Sequence, residues 1–387
     1  MERTVRMRVV VVGAGIVGAA VARELALAGV SVTVLDRSAS AGGTSAAGEG
    51  NLLVSDKGPG AELDLALRSL TLWQSLLPEI SDKFPSIEYE AKGGLVVATT
   101  PAGATALQAF AETQRTAGVE SAVVNGLDHE PDLNPGHTLA VLYPQDAQVQ
   151  PAIATEALLA LAKQHGATVR QGVEVLGPLL SGDRLSGVLT SDGPIEADHV
   201  VVAAGPWSGE VSERLGVFLP VRPRRGTILV TTRMRQRIHH KVYDADYVGA
   251  VGSNDASLQT SSVIESTAGG TVLIGSSRER RGFDESIEAR VLSAVAAKAL
   301  VLFPFLADVA VMRAYGGFRP FVPDHLPVIG PDPRRPGLWH ATGHEGAGIV
   351  LSTATAELLT DLMVGRPVSL DAAAFAVDRP TLLAESH

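Results

Sequence analysis

Apolar positions recur along the chain in two rhythms, continuous β-branched runs and helical repeats, and they alternate. Residues 9–12 are four valines, which predicts a strand buried on both faces. The turn Gly13-Ala14-Gly15-Ile16-Val17-Gly18 follows, then an apolar helical pattern that closes before Gly29. A second apolar strand, 31–35, ends at the charge of Asp36. Residues 42–60 are rich in glycine, serine and small side chains and predict a loop. A helix follows over 62–77, with Leu63, Leu67, Leu70 and Trp73 on one face. Strands are expected at 87–90, 95–98, 139–143, 168–175, 185–190, 195–197 and 200–204, and helices at 105–117 and 153–165. Strand-like runs dominate 221–275, a helix covers 285–301, and a last helix covers 349–363. The expected architecture is α/β: a discontinuous Rossmann-type domain formed by 1–80, 145–220 and 311–387, and a strand-rich α+β domain formed by 81–144 and 221–310.

The opening βαβ unit carries specific chemistry. Gly13 permits the tight turn, Gly15 lets the backbone approach a pyrophosphate, and Gly18 lets helix and strand pack closely, while the helix start offers N–H groups and a positive dipole end. Asp36 follows at the distance, roughly 20 residues, that suits an acceptor for a ribose hydroxyl. A glycine turn alone proves little, but this one is flanked by strand, helix and acid and points to a bound dinucleotide. The strand at 200–204 stops at Gly205-Pro206-Trp207, which marks a second turn on the cofactor side.

Composition narrows the classes. The 387-residue chain is long enough for about two domains. A net charge of −10 leaves no basic footprint for nucleic acid. The basic stretch Arg222-Pro223-Arg224-Arg225, with Arg233, Arg235 and Arg237, is short and reads as a solvated strand and turn. Cysteine is absent, so the chain holds no disulfide, thiolate metal site, cysteinyl flavin link or iron–sulfur cluster of its own. His239 and His240 are adjacent and on a strand would point to opposite faces, so no metal is assigned. The apolar run at 9–22 is too short to span a bilayer, and no signal-peptide core follows the N-terminal charges. The expected location is the cytoplasm, with a peripheral position on the inner membrane face as an alternative.

The landmarks Val10 to Gly18, Asp36-Arg37, Gly43-Thr44-Ser45, the 200–207 motif, 220–226, 271–276, Gly317-Phe318-Arg319-Pro320 with Asp324, 327–330 and 343–348 stand in the order of a known family. In these the chain resembles the D-amino-acid oxidase superfamily of FAD enzymes, which includes glycine oxidase, sarcosine oxidase and D-amino-acid dehydrogenase. Residues 48–57 and 343–349 are similar to the flavin subunits of hydroxyproline dehydrogenases and opine oxidases. The resemblance implies a glutathione-reductase-like FAD domain with an antiparallel-sheet substrate domain, and non-covalent FAD. It implies a cofactor site of Gly13, Gly15, Ile16, Val17, Gly18, Asp36, Arg37, Gly43, Thr44, Ser45, Gly50, Asn51, Leu52, Val173, Ala204, Gly205, Trp207, Gly317 and Arg319, with Gly343, His344, Glu345, Gly346, Ala347, Gly348 and Ile349 at the flavin. Val173 would pair its backbone with adenine.

Arg319 is the leading catalytic candidate. By family position it meets the substrate carboxylate, for which its planar fork is suited, and the alternative is a structural pair with Asp324. Tyr243 and Tyr247 lie where relatives place a substrate tyrosine, or pack in the sheet. His344 would touch substrate or flavin; Glu345 would bind an amine or cap the helix. Glu49 and Asn51 belong to a loop expected over the flavin ring. The implied reaction is hydride transfer from Cα of a small amino or imino acid to flavin N5. A D-hydroxyproline-type dehydrogenase leads, with a D-amino acid or glycine/sarcosine oxidase releasing hydrogen peroxide as the alternative. The flavin-holding subunit of an opine-oxidase-type complex is a third reading. The acceptor would be oxygen, a quinone or an iron–sulfur partner subunit, and an oligomer is compatible. A nicotinamide enzyme would share the βαβ unit but leave the 343–348 turn without purpose.

Overall fold

The computed structural model describes residues 6–245 and 252–383. Arg8–Val12 is an inner strand of a six-stranded sheet, with the spatial order Val328–Pro331, Leu338–Thr342, His199–Val202, Arg8–Val12, Ser31–Asp36 and Thr168–Gln171. All neighbours are parallel except Val328–Pro331, which runs antiparallel to Leu338–Thr342. Side chains of a strand alternate between faces, so one short run serves two cores. Val9 and Val11 pack under the helices Ile16–Leu27, Pro151–Gln164 and Gly348–Val364. Val10 and Val12 join Val188, Val200 and Val211 beneath a three-stranded meander of Val175–Ser181, Arg184–Thr190 and Gly193–Glu196. Burial on both faces is what the unbroken valine run implied.

Gly348–Val364 is the central helix of the first core. The segment Glu345–Val364 is long and apolar enough to cross a bilayer by length and composition, yet 67% of its most apolar stretch is buried inside the protein. It packs against Ile16–Leu27 and Ala61–Lys83, where Ser69 and Thr353 bond to each other.

A second sheet has eight strands in the order Val311–Phe321, Arg222–Thr231, Val272–Arg278, Gln259–Ser266, Lys241–Asp244, Gly94–Ala98, Leu139–Tyr143 and Ala122–Val124. It is antiparallel except for one junction: Lys241–Asp244 runs parallel to Gly94–Ala98. The expected boundary at 311 is therefore corrected. Val311–Phe321 belongs to the second sheet, pairing with Arg222–Thr231 from Phe321 opposite Arg222 to Val311 opposite Thr231.

Other local expectations also shift. The strand foreseen at 87–90 is a 3-10 turn, Pro85–Ile87, with Glu90 making an isolated bridge to Gln148. The strand foreseen at 168–175 breaks after Gln171, because Gly172 takes a φ of +72° and the chain restarts as Val175–Ser181. The helix foreseen at 62–77 runs on through Pro78 to Lys83, since Leu76, Leu77 and Ile80 keep its apolar face buried.

The contact on which the first βαβ unit turns is backbone against backbone. Gly13 has a φ of +116°, and a Cβ on Gly18 would lie 2.0 Å from the Gly13 carbonyl oxygen. No side chain fits there without separating helix from strand. Gly18→Ala is expected to cost about 2 kcal/mol or more of stability and to lower flavin retention. Denaturant unfolding and the flavin-to-protein absorbance ratio of the purified variant check both.

Candidate active site

The C-terminal ends of Arg8–Val12, Ser31–Asp36 and His199–Val202 open into one cleft, as parallel sheets commonly place their ligands. Its opposite wall comes from the second sheet, through Gly226, Ile228, Gly317, Phe318 and Arg319. At one end lie Gly13, Gly15, Ile16, Val17, Asp36 and Arg37. The helix Ile16–Leu27 begins without a side-chain cap on its own N-cap residue, and the Ile16 N–H donates to Ser45 Oγ at 2.9 Å. Thr44 donates to the Phe318 carbonyl at 2.6 Å, which ties this loop to the second sheet. Asp36 accepts from the Ala14 and Ser38 N–H groups, each at 2.8 Å. The acid expected at a ribose therefore also frames the glycine turn. Arg37 lies 4.7 Å over the Trp207 ring, which stacks on Phe283. Gly43, Gly50, Asn51, Ala204 and Gly205 also line the cleft.

At the other end stand His344, Glu345, Gly346, Gly348 and Ile349. The helix Gly348–Val364 also starts without a side-chain cap, and its first residues, Gly348 and Ile349, line the cleft, which puts its positive dipole end there. One cleft thus has a helix start at each end. That suits FAD, whose pyrophosphate is anionic and whose ring becomes electron-rich on reduction. The residues present fit the group.

Several expected positions differ. Gly18, Leu52, Gly343 and Ala347 are off the cleft wall. Gly18 lies beneath the turn, Leu52 is buried and pairs with Ala147, a Cβ on Gly343 would meet Val322 at 2.9 Å, and Ala347 packs on the core. Val173 lines the cleft, and its N–H donates to the Asp36 carbonyl at 2.8 Å. Tyr247 lies outside the described residues. Tyr243 is not a cleft residue: it is fully buried and bonds Ser55, which also bonds Asp146. Burial drives the Tyr243 hydroxyl well above its usual range and lifts Asp146 to about 6.

His344 lines the cleft with its ring anchored to Thr355 at 2.9 Å. Burial lowers it to about 3, so it is neutral at physiological pH and does not serve as a proton-holding group there. Glu345 neither caps the helix nor stands open to an amine; it accepts from Arg224 at 3.2 Å and pairs with His325 at 2.6 Å. Asp324 is clamped by Arg379 at 2.6 and 2.9 Å, which removes it as the structural partner proposed for Arg319. Arg319 lies on the cleft wall and donates to the Ser277 carbonyl at 2.9 Å.

Sequence reasoning missed Lys241 and Glu265, a buried ion pair one contact behind the cleft, where Lys241 also bonds Asn51. The available signal was a charge within or at the start of each of two strand-like runs, Glu265 in Gln259–Ser266 and Lys241 opening Lys241–Asp244. Among the described residues no cluster of potential metal ligands occurs.

A model of the DAO family, FAD dependent oxidoreductase, matches residues 8–362. Glycine oxidase of Pseudomonas aeruginosa is 35% identical over 375 residues, 95% of this chain and 98% of that protein. The crystal structure of glycine oxidase from Geobacillus kaustophilus superposes with a TM-score of 0.86 at 27% identity, covering 96% of this chain and 99% of that one. Iminodiacetate oxidase from Chelativorans sp. BNC1 gives 0.82 at 25% identity, covering 96% and 99%.

Because Tyr243 belongs to the core, Tyr243→Phe is expected to leave kcat/KM within about twofold while costing about 1–3 kcal/mol, the price of an unpaired buried partner. Steady-state kinetics beside denaturant unfolding separate these effects.

Proposed function

The chain belongs to the DAO family of FAD-dependent oxidoreductases, and from that premise we propose that it oxidises the Cα–N bond of a small amino or imino acid bound through Arg319. The turn around Gly13 and Gly15, together with Asp36, would hold the ADP half of FAD, and the helix start at Gly348 would face its ring. Attachment is non-covalent in this reading, and a cysteinyl link is impossible because the chain has no cysteine. When bound, FAD supplies a two-electron acceptor for the hydrogen on Cα. The protein's task is then to orient that hydrogen and to bring the amine to its neutral form before transfer.

The observation that carries the reading is the position of Arg319. It reaches the cleft from the second sheet, opposite the glycine turns of the first, and Asp324 is committed to Arg379. A guanidinium fork there pairs with both oxygens of a carboxylate and fixes the amino acid between the two sheets. Two substrate classes share this clamp. One is a secondary amino acid of hydroxyproline type, with electrons passing to a quinone or an iron–sulfur partner. The other is glycine, sarcosine or a D-amino acid, with electrons passing to oxygen. Similarity to glycine oxidase supports the second, and similarity to iminodiacetate oxidase supports a secondary amine in either. The proposed place of work is the cytoplasm.

Anaerobic mixing of the purified flavoprotein with glycine, sarcosine, iminodiacetate, D-amino acids and both series of prolines and hydroxyprolines is expected to bleach the flavin with one class. The rate of recolouring in air then separates oxidase from dehydrogenase, and no bleaching by any of them would overturn the proposal. Arg319→Lys is expected to retain flavin but weaken substrate capture about 10- to 100-fold, because one arm of the fork is lost. Unchanged saturation of the bleaching rate would remove Arg319 from the role.

A further inference from the structure

We infer that Glu49 is the second pole of the substrate site: it receives the substrate's amino group and takes its proton, while Arg319 receives the carboxylate. The inference rests on the amine-oxidation reading above and assigns a residue to the half of the substrate that Arg319 leaves unread.

Both side chains rest on the same strand, Val272–Arg278. A Cβ on Gly275 would lie 2.1 Å from Glu49 Oε1, so glycine there makes room for the carboxylate, and the Ser277 carbonyl accepts from Arg319. These supports are two residues apart in the chain, at most about 7 Å between their Cα atoms, a separation that suits the two ends of an α-amino acid. Glu49 borders both the cofactor cleft and the adjoining cavity lined by Glu265, Leu273, Tyr315 and Gly317. Its two oxygens are in different states. Oε2 faces the Asn51 amide at 3.5 Å, whereas Oε1 is shut off from solvent and has no hydrogen-bond partner. A buried carboxylate oxygen left unpaired is costly, and a substrate N–H is the donor it lacks. Asn51 in turn is held by Lys241, which pairs with Glu265, so Glu49 is backed by buried, interlinked polar groups.

The groups acting on Glu49 set its working range. Burial lifts its carboxyl to about 7, with Glu265 pushing the same way, while Lys241, Arg319 and the Asn51 hydrogen bond pull it down. Tyr315, itself raised by burial, also faces it. Above about 7 the carboxylate attracts the substrate ammonium and takes one proton from it. The neutral nitrogen then has its lone pair free. With FAD bound, that group would accept the Cα hydrogen with both electrons, while the nitrogen lone pair closes the C=N bond to leave a protonated imine. Glu49 returns its proton to water when the product leaves.

The test uses the flavin-loaded enzyme and Glu49→Gln, which keeps shape and loses the charge. Two measurements are made across pH: the anaerobic flavin-reduction rate with the best amino acid substrate, and the affinity of methoxyacetate, a carboxylate without an amine, read from the flavin spectrum. In the unsubstituted enzyme the reduction rate at low substrate should fall about tenfold per pH unit below about 7, because the protonated carboxyl cannot take the proton. In Glu49→Gln the rate near pH 8 should drop about 100-fold, and its inflection should move up to the range of the substrate's own amine. Methoxyacetate binding should change less than about threefold, because Arg319 is intact.

An inflection near 7 that persists in the variant overturns the inference. So does parallel loss of methoxyacetate binding, which would make Glu49 a general support of the site. Loss of flavin with an unchanged pH profile in the loaded fraction also overturns it, by assigning Glu49 to the cofactor. Absence of bleaching in the unsubstituted enzyme with every amino acid defeats the amine-oxidation reading, and this inference with it; the other failures leave that reading standing.

Discussion

The rest of the structure depends on the close approach of the helix Ile16–Leu27 to the strand before it. Gly18 sits against the Gly13 carbonyl, Gly13 against Ala203, and a methyl group at either position would collide with backbone. This contact aims the helix start into the space beyond the strand ends and brings the loop containing Thr44 and Ser45 over it. The Thr44 bond to Phe318 then joins that loop to the second sheet. The cleft therefore lies where the two sheets meet, because one wall cannot form without the turn and the other is tied to the same loop.

Charge is distributed around that cleft in a way stability alone does not explain. Lys241 and Glu265 are almost completely buried, and taking both ions out of water costs more than most such pairs return. Arg224, Glu345 and His325 form a second buried or half-buried chain behind the flavin-side turn, held through Arg224 to the Ser253 carbonyl and through His325 to Asn254. The hydrogen bonds and ion pairs in each chain restrain the groups they link. Here one holds Asn51 beside Glu49, and the other holds the backbone turn that precedes Gly348. Both adjoin the cleft in which the proposed function places the substrate, where orientation supplies much of the rate.

What could be read from the residues was local. The valine run, the glycine turn and Asp36 specify a βαβ unit because period, turn conformation and spacing are all encoded within about 30 residues. The helices and strands of strong periodicity were legible for the same reason, and so were the bounds of Leu139–Tyr143. Arg319 was legible as a candidate only through the resemblance of its Gly-Phe-Arg-Pro segment to the family. The failures share a cause. Val311–Phe321 was grouped with the Rossmann-type domain yet pairs in the second sheet, because strand partners are chosen by three-dimensional register, which periodicity does not record. Tyr243 carries a side chain suited to chemistry, but Ser55 from a distant segment occupies it; His344 and Glu345 do reach the cleft, where Thr355, Arg224 and His325, again from distant segments, set how they are held.

The sequence by itself determined the dinucleotide-type unit, the absence of any cysteine-based cofactor chemistry and the alternation of helical and extended segments, since these follow from residue type and near-neighbour spacing. Tertiary structure alone decided which charges meet. Asp324 goes to Arg379 and not to Arg319, Lys241 finds Glu265, and Glu49 is brought within the field of Arg319 with one oxygen left unpaired. Electrostatic partnership depends on distance and burial, and both are set only when the two sheets close on each other.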